Sequence, residues 1–443
     1  MKMTKLNILY LSNRPNGKSQ AATVTEYLDA MKAFSKHNVF EVSMLGRFPE
    51  KIQLDKFDVV MTHYSLSLGP LIIHYLGENF IEKLRNFKGL KVAFLQDEYR
   101  EIKTYWKNLK YLNIDVLFSC VPDDEIQKVY PRHEVPNLHV ENVLTGYVPK
   151  NFVRSNVPAI EERTIDVSYR TRRMPFWLGE LGKEKWYISE EFSRRSKSLD
   201  LKLDLSVEEA DRIYGDEWEN FLKNSKCVLG VESGASIIDF DGNIEKIVDY
   251  YVDRNPDSSF EEVQSLFLQQ YEGNLKLNQI SPRCFEAAAL RTVMVLFEGN
   301  YSGILQPNRH YIPLKKDFSN FEEVVAKIRD NDFLQTIADA SYNEIALNYQ
   351  YSYETFIKKV DELLMREFSA RRMKISKQPY FDQSFQSDLS ASYRYRFTRK
   401  CTMTAQRYLL GTSFFRSALF RLWSFLPLNY KVKLRPLARF ISK

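Results

Sequence analysis

The sequence predicts an α/β protein made of two parallel-sheet domains and a basic helical tail. Three observations carry this. Short apolar runs alternate with helical patterns through residues 1–150, and the alternation resumes at Ile165 after a charged, proline-containing break at Ser155–Arg163. A chain of 443 residues is too long for one core and fits two to three domains. The charge is also divided: residues 370–443 hold 16 Lys and Arg against two Asp, a net of +14, whereas the preceding 369 residues hold 47 basic and 55 acidic groups, a net of −8.

Taken in order, Leu6–Leu11 is an apolar run that ends in the Asn-, Pro- and Gly-bearing turn Ser12–Lys18, followed by a helical pattern over Ala22–Phe34. Val39–Met44 and Asp58–Thr62 are the next strands, then helical Leu71–Leu84. Lys91–Leu95 precedes helical Glu101–Leu109, and Ile114–Cys120 precedes helical Asp123–Tyr130. Continuous apolar runs belong to strands covered on both faces, which parallel strands with crossover helices are. Residues 1–150 are therefore a Rossmann-like domain. Residues 151–350 form a second one, with strands Ile165–Tyr169, Lys226–Val231, Val293–Phe297 and Ile312–Leu314 and helices Phe321–Arg329 and Asp332–Ala346. An acidic segment with helical stretches, Asp239–Leu277, lies between its middle strands. Ser281 before Pro282 is a strong helix start, since Ser caps the N-terminus and Pro suits the first turn. Residues 370–443 are the tail.

Composition narrows the function classes. Hydrophobic residues at 44% and charged residues at 27% are those of a folded globular protein. Cys120, Cys227, Cys284 and Cys401 contain no CxxC pair, so zinc and dithiol chemistry have no support. No apolar run reaches the ~18 residues of a membrane span, and the N-terminus has the pattern of a strand, not of a signal peptide. A cytoplasmic protein with reduced thiols is expected. The tail 394–443 mixes Arg407, Arg416 and Arg421 with Leu409, Phe414, Phe420 and Trp423. Such segments lie at anionic bilayer surfaces, where each cation contributes ~1 kcal/mol. The tail is thus expected to hold the protein on the inner face of a membrane. With no RNA- or DNA-binding motif in view, no nucleic-acid partner is expected.

The segment Ser281-Pro-Arg-Cys-Phe-Glu-Ala-Ala-Ala-Leu-Arg-Thr-Val-Met-Val-Leu-Phe297 resembles the donor-site helix and following strand of GT-B glycosyltransferases, the group 1 and CgeB-like relatives. These carry R-x-F-E-A-x-A-x-x-T before an apolar strand. The resemblance implies a GT-B fold in which residues 351–369 form a last helix crossing back to the first domain, and a metal-independent, cofactor-free transferase. It would move a sugar from a nucleotide-sugar donor to a glycan or lipid-linked acceptor in bacterial surface polysaccharide synthesis. It also implies that Glu286 holds the ribose and that Arg170 and Lys185 assist the diphosphate. The chain departs from the family where many retaining members carry a second glutamate: Asn278 stands there. A non-catalytic nucleotide-sugar- or glycan-binding protein, or a membrane scaffold on the same fold, is the alternative.

The residues also point to this chemistry without the family. A helix N-terminus presents free N–H groups and partial positive charge, which suit a diphosphate. Ser281 opens that helix, and Arg283 in its first turn can add a charge-assisted fork. The plainer alternative is an intrahelical pair between Arg283 and Glu286. Asp166–Arg173, with Lys183 and Lys185, makes a basic strand end of the kind that suits a phosphate pocket. Val231–Ser236 leaves a strand through a small-residue turn in which Ser233 and Gly234 can approach a ligand. Asp239-Phe-Asp241 mimics a metal-binding DxD motif but sits in the wrong fold class, so no metal site is assigned. In the first domain, strand ends should face the cleft. They present Asn13, Arg14, Gly17 and Lys18, then His63, and then Gln96–Arg100. His63, Asp97 and Glu98 are the candidates for activating an acceptor hydroxyl.

Overall fold

The protein's structure, a computed structural model, is described for residues 5–15, 22–50 and 52–373. The Gly17–Lys18 turn and the tail, including 394–443, lie outside the described residues.

The first sheet has six parallel strands: β1 (Asn7–Ser12), β2 (Asn38–Ser43), β3 (Val59–Thr62), β4 (Leu90–Phe94), β5 (Val116–Ser119) and β6 (His139–Asn142), in the order β2-β1-β3-β4-β5-β6. The second has five: β7 (Ile165–Arg170), β8 (Leu203–Ser206), β9 (Ser225–Gly230), β10 (Val293–Phe297) and β11 (Tyr311–Leu314), in the order β11-β10-β9-β7-β8. All pairings are parallel. The inner strands β1, β3, β4, β5 and β10 are buried at every position, as their continuous apolar runs require.

Two strands escape the sequence pattern, and both are edges. β6 is His-Val-Glu-Asn and β8 is Leu-Asp-Leu-Ser, half-exposed and with polar residues, so neither shows an apolar run. The helical pattern at Leu71–Leu84 divides at Gly77, whose φ of +76° ends one helix (Ile72–Leu76) and opens the next (Glu78–Asn86). A 16-residue helix, Glu180–Arg195, was also not apparent in the sequence.

The helix Tyr353–Ala370 lies on the first domain. Tyr353, Phe356, Ile357, Val360 and Leu364 share an apolar cluster with Tyr27, Leu28 and Met31 of the helix Ala22–Phe34. Each such side chain, fully buried, contributes roughly 1.5–3 kcal/mol. Asp361 fixes the register by accepting from Ser35 Oγ at 2.8 Å and the Lys36 amide at 2.7 Å. This helix therefore ties the end of the second domain to the first and holds the two sheets around one cleft.

Candidate active site

In the second sheet the chain order reverses between β7 and β9, and an open α/β sheet places its ligand crevice outside the strand C-termini at such a point. A cavity of about 230 Å³ lies there, walled by Tyr169 and Thr171 at the end of β7, Gly230–Ser233 at the end of β9, and Leu296 of β10. Arg172, Lys185, Arg212 and Arg283 bring four cations to it. A second cavity, of about 170 Å³, lies between the domains. Gln96, Asp97 and Tyr99 form its first-domain wall; Gly234, Gln279 and Pro282 face them. Lys185 and Ser233 line both cavities, so the chambers join at that pair.

The helix Pro282–Ala289 opens at this junction. Ser281 is extended (φ −79°, ψ 142°) and its hydroxyl makes no capping bond to the first turn. The small side chains of Ala287, Ala288 and Ala289 let the helix seat against Met294 and Leu296 of β10 in one buried cluster. Arg283 is aimed by its surroundings: Nη1 donates to the Arg170 carbonyl at 2.6 Å, and the guanidinium lies over the Trp218 and Tyr169 rings at 5.2 and 5.7 Å. Among the described residues no ion pair joins Arg283 to Glu286.

Glu286 does not line the cavity. Its carboxylate is buried and accepts from Trp218 Nε1 at 2.8 Å. Burial pushes it up, against the pull of Trp218 and Arg283. The ribose role assigned to it therefore has no direct path in this conformation. Arg170 is a second correction. Being still in the ladder, it faces β8, where Nη2 meets Asp204 Oδ1 at 2.6 Å and the guanidinium covers Phe221 at 4.6 Å. Arg172, two residues on and past the strand end, lines the cavity instead. Arg212 carries no motif and arrives on the loop after β8, a strand that the sequence pattern did not reveal.

Lys185 donates to the Gly234 carbonyl at 3.0 Å. Burial lowers its ammonium to about 8; Asp97 counteracts this, while Arg283 and Arg172 add to it. Gly234 has φ +109°, and a Cβ there would collide with the Leu277 carbonyl, so only glycine fits the turn. Ser233 and Gln279 exchange backbone hydrogen bonds at 2.8 and 3.0 Å, which anchors this turn beside the helix start. Asn278 also finds a use: its Nδ2 donates to Glu232 Oε2 at 2.8 Å, while Glu232 Oε1 accepts from the Asn300 and Tyr301 amides at 3.1 and 2.7 Å. A second carboxylate at 278 would face Glu232 at hydrogen-bond distance.

Of the first-domain candidates, Asp97 alone presents its side chain to the cleft region with a partner that leaves it usable. It sits after β4 with φ +59°, lines the interdomain cavity and accepts from Tyr99 OH. Glu98 touches the cavity wall, but its carboxylate is buried, accepting from Ser119 Oγ at 2.8 Å, the Cys120 amide at 3.3 Å and Tyr130 OH. Burial raises it to about 7 against those hydrogen bonds. His63 is fully buried among Tyr10, Tyr27 and Tyr64, with Nδ1 at 2.9 Å from Ser65 Oγ. Burial and Arg14 lower it to about 3. Neither His63 nor Glu98 is placed to take a proton from an acceptor. Asp239 accepts from the Asn243 and Glu245 amides at 3.0 and 2.9 Å and so caps a helix, and Asp241 pairs with Lys103 at 2.8 Å.

No family model and no curated protein sequence matches the chain. Solved structures do. An alpha-glucosyltransferase in complex with UDP-glucose and DNA containing an abasic site aligns with 82% of this chain and 100% of its own, at 13% identity and a TM-score of 0.50. The chain has the GT-B fold. T4 phage BGT with its UDP-glucose substrate aligns over 83% of this chain and 98% of its own, at 11% identity and TM-score 0.43. TarM covers 71% and 56%, at 12% and 0.38. The GT-B likeness overturns the exclusion of nucleic acid, because the first of these structures carries DNA. The absence of a short nucleic-acid motif excludes nothing when a ligand surface is assembled from separate strand ends of two domains.

Proposed function

We propose that this protein transfers a sugar from a nucleotide-sugar donor to an acceptor hydroxyl. The observation that carries this is the junction of the two chambers. The start of the helix at Ser281, Arg283 and Lys185 converge where a cation-rich cavity meets a cavity walled by Asp97. The nucleoside occupies the larger chamber. The diphosphate meets the helix N-terminus and Arg283, where negative charge growing on the leaving group is stabilised by fixed donors. The sugar and the attacking hydroxyl meet in the interdomain chamber, and Asp97 takes the proton. Cations and the helix dipole serve in place of a metal.

A hexose is the transferred sugar in this reading. The acceptor is a glycan or lipid-linked glycan in bacterial surface polysaccharide synthesis, reached at the inner membrane face through the basic residues 394–443. A hydroxyl on DNA is the second reading, favoured by the DNA in the alpha-glucosyltransferase structure. The test is a thermal-shift screen of the full chain against UDP-, GDP-, ADP-, CMP- and dTDP-sugars, followed by turnover with glycolipid and with hydroxymethylated DNA. One donor should raise the melting temperature by mass action, and Arg283→Ala should raise its Kd about 10–100-fold, the worth of a charge-assisted hydrogen bond. Equal donor affinity in wild type and Arg283→Ala would falsify the assignment.

A further inference from the structure

The Asp239-Phe-Asp241 segment mimics a metal motif in sequence, yet it touches neither chamber. It lies against the loop that carries Asp97. The Asp239 amide donates to the Tyr99 carbonyl at 2.7 Å, the Lys103 amide donates to the Phe240 carbonyl at 3.1 Å, and Arg100 and Asp239 form a strand-like bridge. Two ion pairs flank this backbone seam: Arg100 Nη2 with Glu245 Oε1 and Lys103 Nζ with Asp241 Oδ1, both at 2.8 Å. Glu245 is buried, and the Arg100 guanidinium also lies 5.8 Å over the Trp177 ring. Gly242, at φ +73°, is packed so that a Cβ would meet Glu101 Cγ at 2.7 Å.

The loop needs such a hold. Asp97 and Glu101 both have left-handed backbones, at φ +59° and +52°, and non-glycine residues keep that conformation only where their surroundings over-determine it. Tyr99, whose carbonyl the second domain grips, is also the residue whose hydroxyl holds Asp97. We propose that segment 239–245 of the second domain is a clasp that sets the Asp97 carboxylate in place, so that the base is armed only when the two domains are closed. Arg100, Asp239 and Glu245 are then positioning residues: they touch Tyr99 and its loop, not substrate. This inference rests on the transferase reading for its consequence, but the clasp itself is independent of it.

The test uses Arg100→Glu, Glu245→Arg and the double exchange in the full chain, with two readouts. Hydrogen exchange at the Tyr99–Lys103 amides should quicken at least tenfold in each single variant and return to within threefold of wild type in the double. Transfer kcat should fall at least tenfold in the singles and recover in the double, while the donor Kd stays within twofold. Unchanged exchange in the singles overturns the clasp. Quickened exchange with unchanged kcat, or a donor Kd that moves in step with kcat, overturns the positioning role. If wild type neither binds nor turns over any nucleotide-sugar, the transferase reading fails together with the arming of its base, and the exchange data still decide whether the clasp exists.

Discussion

Lys185 should be a residue that the free protein would be more stable without. Its ammonium sits at the junction of the chambers with the Gly234 carbonyl as its hydrogen-bond acceptor, and burial brings it down to about 8 from an ordinary 10.5. At about 1.36 kcal/mol per pH unit, holding the charged form in the folded protein at neutral pH costs up to about 3 kcal/mol. The hydrogen bond offsets roughly 1 kcal/mol of what a replacement would recover. Lys185→Met, similar in length and apolar, should therefore stabilise the ligand-free chain by about 2 kcal/mol, a rise of about 4–8 °C for a domain of this size. The sign has a pH signature. Between pH 8 and 10.5 the unfolded lysine holds its proton and the folded one has shed it, so wild-type stability gains with pH across that window. The advantage of the variant should be full below pH 8 and fade by pH 10.5. The same substitution should weaken donor binding about 10–100-fold, since a charge-assisted contact is lost. Scanning fluorimetry from pH 6 to 10, with and without nucleotide-sugar, reads both effects. A lower melting temperature for the free variant, or a donor-induced shift equal to wild type, refutes the reasoning.

Three further outcomes follow from named contacts. Asp97→Asn should lower transfer kcat at least 100-fold, the usual range for a lost general base, with donor Kd within twofold by calorimetry. Glu98, raised to about 7 by burial from an ordinary 4.5, adds stability that is full below pH 4.5 and lost as pH rises through 7, up to about 3 kcal/mol. Glu98→Gln should flatten that part of the urea-midpoint profile relative to wild type, and identical slopes would count against the burial argument. Gly234→Ala forces a side chain into φ +109° against the Leu277 carbonyl; it should destabilise by about 1–3 kcal/mol and abolish donor-induced stabilisation, whereas a neutral effect on both shows that the turn is not a wall of the site.

Which parts of the site were legible in the sequence follows from where each signal is stored. The inner strands are continuous apolar runs, and the helix start at Ser281-Pro282 is local chemistry, so both were readable in order. β6 and β8 are edges whose half-exposed, polar sequences resemble loops; missing β8 is also why Arg212, carried on the loop after it, had no apparent place. Arg170 and Arg172 are both arginines near a strand end, and only the register of β7 against β8 turns one onto Asp204 and sets the other at the cavity wall. His63 and Glu98 look like acid–base candidates in a list of strand-end residues, because the list records position along the chain and not depth. Their burial comes largely from aromatic residues distant in sequence: Tyr10 and Tyr27 around one, Tyr130 over the other. The DxD-like segment is too short a motif, in the wrong fold class, to mark a metal site from sequence. What it does instead depends on a loop some 140 residues earlier. Long-range pairing decides which polar residues of a two-domain cleft face the ligand and which hold the ones that do, and no local pattern carries that information.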